Sequence, residues 1–143
     1  MADALDAAEV LARVSAEPLS LAEVDAFVAR AANGATVSFQ GVVRDHDRDR
    51  TVRALDYRAH PEAERFLREC CERVAERSGL AVAAVHRVGS LVVGDLALVA
   101  AVAAPHRREA FEACAELVEL VKHEVPIWKR QHFDDGVSEW VGL

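Results

Sequence analysis

Hydrophobic and polar residues recur with two different periods along this chain, and the changes of period divide it into strands and helices. In ATVSFQGVV, Val37, Phe39 and Val43 alternate with polar residues, which predicts a half-buried strand. VRALDYRAH predicts another strand, and VLARVSAEPL predicts a short strand at a sheet edge. The longer apolar runs LAVAAVHRVG and DLALVAAVAA predict two buried strands, joined through SLVVG.

Three segments have the helical period instead. Ser20 and Glu23 form a capping box that predicts a helix to about Ala32, with Asn33-Gly34 as its stop. A second helix is predicted from Pro61 to Gly79, and a third from near Pro105 to just before Pro126. The buried stripe of the second is predicted as Phe66, Leu67, Cys70 and Val74, and that of the third as Phe111, Cys114, Leu117, Val118 and Val121.

The order of these elements favours one fold class. RDHDRDR, residues 44–50, is too charged to pack and predicts a loop, whereas IWKRQHF, the turn DDG and VSEWVGL predict a closing hairpin. Strands grouped between separated helices indicate an α+β fold with a mixed or antiparallel sheet, three main helices and a C-terminal hairpin. A length of 143 residues suits a single domain over 1–143.

Composition narrows the function classes. The formal net charge is −7, so the chain lacks the broad basic surface that nucleic acid or an anionic membrane would require. MADALDAAEV does not resemble a secretory signal, and the longest apolar run is about half of what a membrane helix needs. These features predict a cytoplasmic location, no nucleic-acid partner and no membrane partner.

The clearest local anomaly is PHRR at the start of the third helix. His106, Arg107 and Arg108 stand where the helix dipole is positive, so an anionic ligand would relieve the conflict. The alternative is that these side chains point into solvent or pair with acidic residues. Arg44 is a second candidate, because it directly follows a predicted strand and can reach a pocket beside the sheet edge.

Only two of the 17 basic residues are lysines, Lys122 and Lys129. Lys129 shares a strand face with Ile127 and Gln131, so it points towards a covered surface if Ile127 is buried. A partly buried ammonium can exchange protons near neutral pH, which a guanidinium cannot. For Lys122, the alternative is a structural role at the end of the helix. For both positions, the alternative is that lysine occurs there by chance. The histidines show no metal-ligand spacing, so no metal site is predicted, and the three cysteines are predicted to be structural.

The segments FQGVVRDH, VHRVGSLVVGD, AAPHRREAF, VKHEVPIWKRQ and the later EWV resemble, in the same order, the large catalytic subunit of molybdopterin synthase, the MoaE family. The resemblance implies an α/β-hammerhead fold and a homodimer, which becomes a heterotetramer with two small ubiquitin-like subunits. It implies that sulfur passes from the thiocarboxylate on the small subunit's Gly-Gly tail to cyclic pyranopterin monophosphate, making a dithiolene. It implies no metal and no diffusible cofactor.

The resemblance also implies which residues form the site. Arg44, His106 and Arg107 would hold the cyclic phosphate and pterin oxygens, and the catalytic Lys122 and Lys129 would flank the thiocarboxylate tail. The full set of positions that match the family's substrate-binding segments is Val42, Val43, Arg44, His106, Arg107, Lys122, Lys129, Arg130 and Gln131, with Phe39 at the pocket edge. Val42 and Gln131 depart from the family pattern, so contact through the backbone is expected there.

Two other function classes stay open at this point. One is a non-catalytic dimeric module that binds a phosphate-bearing ligand or a ubiquitin-like protein. The other is a structural subunit whose basic helix start pairs with acidic residues.

Overall fold

In the computed structural model, residues 9–136 and 138–142 are described. Val137 and Leu143, which belong to the predicted closing hairpin, lie outside this part. The helices are α1 (Leu21–Val28), α2 (Ala63–Ser78) and α3 (Arg107–Glu124). The strands are β1 (Val10–Ser15), β2 (Ala35–Val42), β3 (His46–Asp47), β4 (Arg50–Ala59), β5 (Val82–Arg87), β6 (Gly89–Val92), β7 (Leu96–Ala104), β8 (Ile127–Phe133) and β9 (Ser138–Gly142).

A four-stranded sheet, ordered β1-β5-β7-β2, lies at the centre of the hydrophobic packing. Strand β7 explains why: Val99, Ala101 and Ala103 pack with Val24 and Val28 of α1 on one face. Leu98, Ala100 and Val102 belong to the larger cluster on the other face, which includes α2 and α3. A strand covered on both faces has no polar side, so its sequence is a continuous apolar run rather than an alternation. Full burial of side chains such as Leu67 and Leu117 stabilises the fold by roughly 1.5–3 kcal/mol each.

The sheet is mixed, as the order of elements predicted. Strand β1 occupies an edge and runs parallel to β5, while β5 and β2 are both antiparallel to β7. The second sheet has the order β3-β4-β8-β9, and β6 also pairs with β4. Its strand pairs are antiparallel, and β8 with β9 forms the predicted hairpin. The expected α+β architecture is therefore confirmed.

The first helix is shorter than predicted. It ends at Val28, and Ala29 is already extended, so Asn33-Gly34 is not its stop. The Arg30 side chain ends the helix instead, because its guanidinium donates to the carbonyl oxygens of Phe27 and Ala29 at 2.7 and 2.8 Å. The capping box is half formed: the Glu23 N–H donates to Ser20 Oγ, but the Glu23 carboxylate binds Arg13.

Two segments predicted as connections contain strands. Within SLVVG, Ser90, Leu91 and Val92 belong to β6 and pair with β4, because the fully buried Leu91 anchors the segment to the core. Within RDHDRDR, His46 and Asp47 pair with Thr51 and Arg50. Arg48 and Asp49 take positive φ values of 49° and 64°, which is the geometry of a tight two-residue hairpin turn.

The predicted stripe of α3 is wrong at one position. Phe111 is 59% exposed, whereas Ala110, Ala113 and Cys114 are buried. Ala110 starts the buried row, and Phe111 is rotated from it by about 100° around the helix. Because alanine is small and only weakly hydrophobic, the hydrophobic pattern of the sequence placed Phe111, and not Ala110, at the first inward position. None of the helices in the described ranges is both long and apolar enough to cross a membrane.

Candidate functional site

Three cationic side chains from distant parts of the chain line one cleft of about 180 Å³. Arg44 follows β2, Lys122 lies in the last turn of α3, and Lys129 lies in β8. The other lining residues are Gly41, Val42, Val43, Leu55, Tyr57, His86, Ala97, Leu98 and Gln131. The cleft therefore lies where the end of α3, the end of β2 and the second sheet meet.

The backbone at the end of β2 is held firmly, which fixes the starting point of the Arg44 side chain. The ladder to β7 shifts register between Gly41 and Val42, and this bulge is followed by the buried Val43. The Val43 N–H donates to the Asp95 carbonyl at 2.9 Å, and its carbonyl accepts from the Gly94 N–H at 2.8 Å. The Arg44 side chain itself remains 68% exposed, with Nη2 3.5 Å from Asp47 Oδ1.

Lys129 is half-buried on the inward face of β8, between Ile127 and Gln131, which are both nearly inaccessible. This is the face that the spacing predicted. Burial lowers the pKa of the Lys129 ammonium, and the neighbouring Lys122 and Arg44 lower it further, while Asp47 opposes them. Lys129 is therefore closer to proton exchange at neutral pH than an exposed lysine.

Asp47 supplies a single carboxylate at the edge of this cationic cluster. Its Oδ2 accepts a hydrogen bond of 2.9 Å from the amide of the buried Gln131. This hydrogen bond, followed by the charges of Arg48, Lys129 and Arg44, lowers the pKa of Asp47. One carboxylate facing three cations leaves net positive charge, so the cleft can bind an anion.

The floor of the cleft is neutral. Tyr57 and His86 are 8% and 3% exposed, and their rings meet edge to face with centroids 5.0 Å apart. Burial lowers the pKa of His86 to about 4, and burial raises that of Tyr57 to about 12, so both are uncharged at neutral pH. The sequence pattern assigned no role in the site to His86 or Tyr57. A histidine at the end of the apolar run LAVAAVH was the available signal.

His106 and Arg107 do not reach this cleft within the same chain. They lie at the opposite end of α3 from Lys122, and the separation of 15 positions between Arg107 and Lys122 corresponds to about 22 Å along the helix. His106 is the N-cap residue and makes no side-chain capping bond. Both residues line a separate, open depression with Arg108, Phe111 and Glu112.

The remaining predicted positions are distributed around the cleft. Val42 lines it and is 51% exposed. Phe39 does not line it but covers Gly41, where a Cβ would meet the Phe39 ring at 3.2 Å. Arg130 points to the other face of β8, where its Nε donates to Ser138 Oγ at 2.9 Å and its guanidinium lies over Trp140. No cluster of metal-ligating side chains occurs among the described residues.

Comparison with known proteins gives consistent results. The sequence model of the family described as MoaE protein matches residues 14–124. Molybdopterin synthase catalytic subunit 1 of Mycobacterium tuberculosis is 43% identical over 132 residues, which cover 91% of this chain and 89% of that protein.

Two solved structures extend the comparison to the fold. The crystal structure of molybdopterin synthase from Staphylococcus aureus matches with a TM-score of 0.85 at 32% identity, covering 92% of this chain and 97% of that one. A complex of subunits 1 and 2 of the molybdopterin-converting factor of Helicobacter pylori matches with a TM-score of 0.66, covering 94% of this chain and 88% of that one. At 18% identity, this second likeness shows the fold alone.

Proposed function

Since this chain belongs to the MoaE family, we propose that it is the catalytic subunit of a molybdopterin synthase, an enzyme that transfers sulfur in molybdenum cofactor biosynthesis. Its substrate is cyclic pyranopterin monophosphate, and its sulfur donor is the C-terminal thiocarboxylate of a small ubiquitin-like subunit. The observation that supports this best is the convergence of Arg44, Lys122 and Lys129 on one cleft. Two anions, a phosphate and a thiocarboxylate, must be brought together for the reaction, and this cleft offsets their repulsion.

The roles of the cations follow from their chemistry. Arg44 is mostly exposed at the rim, where a guanidinium can bind phosphate oxygens through two N–H groups. Lys122 and Lys129 face the thiocarboxylate tail. The lowered pKa of Lys129 suits it to give and take protons as the thiocarboxylate sulfur adds to the pterin side chain.

Along α3, His106 and Arg107 lie about 22 Å from Lys122, too far to share a small substrate with it in one chain. We infer that the protein is a homodimer in which His106 and Arg107 of one subunit complete the cleft of the other. The exposed Phe111 beside them is consistent with a contact surface at this end of α3. With two small subunits the assembly is a heterotetramer.

Reconstituted sulfur transfer tests the proposed function. The protein is mixed with a thiocarboxylated small subunit and cyclic pyranopterin monophosphate, and dithiolene formation is measured. We expect turnover by the unaltered protein and a loss of at least about 100-fold in Lys129→Ala, because the proton-transferring ammonium is removed.

Arg53→Ala is the matched control, since Arg53 is 69% exposed on β4 and contacts Asp134 outside the cleft. Its turnover should equal that of the unaltered protein. A protein that binds both partners but never transfers sulfur would instead be the non-catalytic module, and the catalytic proposal would be rejected.

A further inference from the structure

His86 has one ring nitrogen engaged and one free. Its Nδ1 lies 2.8 Å from the Arg87 carbonyl oxygen, which can only accept, so Nδ1 carries the proton. In the neutral ring Nε2 is then a lone-pair acceptor. Among the described residues, none forms a hydrogen bond with Nε2. This atom is not completely buried by the surrounding protein. Since His86 lines the cationic cleft, this acceptor opens onto it.

The position of the His86 imidazole is fixed by its strand and by the Tyr57 ring. Residue 86 belongs to β5, whose backbone pairs with β7 through His86 and Leu98. The Tyr57 ring meets the imidazole edge to face, and β4 places Tyr57 directly opposite Lys129. A side chain held by packing in this way presents its free nitrogen in one direction and loses little conformational entropy when a ligand binds.

The chemistry of this nitrogen differs from that of the cleft's cations. In their charged forms Arg44, Lys122 and Lys129 only donate hydrogen bonds, so they suit phosphate and carbonyl oxygens. Burial lowers the pKa of His86 to about 4, so the ring is neutral at pH 7. It is therefore too weakly basic to take up a proton but remains a hydrogen-bond acceptor. An acceptor at the wall of a cleft can pair with a donor of a bound ligand.

We propose that His86 contacts the substrate directly, its Nε2 accepting a hydrogen bond from an N–H donor of the pterin ring system. This inference rests on the proposed function and adds a specificity determinant to it. The cations select the negative charge of the substrate, and His86 selects a heterocycle that presents a donor at the floor of the cleft. A phosphate compound without such a donor would leave Nε2 unpaired and would bind more weakly.

Two amide substitutions separate substrate contact from structural support. In His86→Asn the side-chain amide can still donate to the Arg87 carbonyl, but the acceptor at the Nε2 position is lost. In His86→Gln the amide oxygen can reach the Nε2 position, but the donor to Arg87 is lost. Binding of cyclic pyranopterin monophosphate is measured by calorimetry with each full-length protein in complex with a small subunit that lacks the thiocarboxylate. Thermal unfolding is recorded alongside.

We expect His86→Asn to weaken pterin binding about tenfold, the effect of one lost hydrogen bond, and His86→Gln to bind within about threefold of the unaltered protein. Any other order of affinities, including equal weakening in both variants, overturns the inference. If neither variant folds, the ¹⁵N chemical shift of His86 Nε2 in the unaltered protein decides. An upfield change on adding the pterin supports the hydrogen bond, and an unchanged shift refutes it.

The two proposals fail in different ways. If the unaltered protein transfers sulfur while the variants show the wrong order, only the role of His86 is rejected. If the unaltered protein neither binds the pterin nor transfers sulfur, the proposed function is rejected and the role of His86 with it.

Discussion

At the scale of single residues, the environment of Lys129 explains why this position has a lysine and not an arginine. Its ammonium is half-buried and lies near the charges of Lys122, Arg44 and Asp47, and its pKa is lowered. An arginine would keep the positive charge but could not lose a proton. Charge and proton transfer can therefore be separated at this position by one substitution.

We predict that Lys129→Arg keeps pterin binding within a few-fold but lowers the rate of sulfur transfer by about 100-fold or more, the size typical of a lost general acid or base. Single-turnover kinetics with saturating pterin measure this rate. A near-normal rate in Lys129→Arg would show that only the charge of this residue matters.

The burial of His86 predicts how stability depends on pH. The pKa is about 4 in the folded protein and 6.5 for an unburied histidine. As pH falls below about 6.5 the unfolded chain takes up this proton while the folded chain does not, so the free energy of unfolding decreases until pH reaches about 4. The shift corresponds to about 3 kcal/mol.

Urea denaturation at intervals from pH 7.5 to pH 4 checks this. His86→Gln should lose most of the decrease between about pH 6.5 and 4.5, because the amide does not titrate. If the free energy of unfolding of His86→Gln still decreased as steeply with falling pH, the pH dependence would come from other groups.

At the scale of elements, the helix ends follow local rules to different degrees. Gly79 ends α2 with φ of +73°, and its N–H donates to the Ala75 carbonyl at 2.7 Å, as the sequence predicted. Helix α1 lacks such a glycine at its end and stops where Arg30 binds its last carbonyls. A glycine that must adopt a left-handed backbone can be identified from sequence, whereas a long side chain folding back cannot.

We predict that Gly79→Ala destabilises the fold by about 1–2 kcal/mol, because alanine disfavours positive φ and no neighbouring atom lies within 4 Å to add a clash. Gly142→Ala is the control, since that glycine has open space around it and no positive φ. It should change the free energy of unfolding by less than about 0.5 kcal/mol in urea titrations. Equal effects at the two glycines would contradict the conformational explanation.

At the scale of the whole molecule, α3 carries cations at both ends, and only one end reaches its own cleft. A homodimer in which each subunit completes the other's cleft makes a clear prediction. Lys129→Ala and Arg107→Ala should each abolish most activity alone. When the two inactive proteins are unfolded and refolded together, hybrid dimers form in which one of the two clefts has both residues.

Random assembly gives hybrids in about half of the dimers, so about a quarter of the unaltered activity should return. As the control, the double variant is refolded with an equal amount of unaltered protein. About a quarter of full activity is expected, all of it from unaltered dimers, because no hybrid has a cleft with both residues; about half would be expected if both residues acted within one chain. If no activity returned in the mixture of Lys129→Ala and Arg107→Ala, Lys129 and Arg107 would have to act within the same chain.

Much of this protein could be predicted from sequence because its signals are local. The apolar period specified the three helices, the covered face of β8 and the two-sided burial of β7, since each depends on neighbours within one element. Lysine instead of arginine at positions 122 and 129 indicated a role in proton transfer, and the order and spacing of the motifs indicated the family.

Other features were decided only by tertiary structure. Arg44, Lys122 and Lys129 meet because the bulge in β2, the register of β4 on β8 and the direction of α3 bring their ends together. The same arrangement leaves His106 and Arg107 at the far end of the helix, turns Arg130 away from the cleft and buries His86 beside Tyr57. The sequence determined most of the helices and strands, because these depend on contacts a few residues apart. The site depends on how whole elements cross and pair, and no local pattern encodes that geometry.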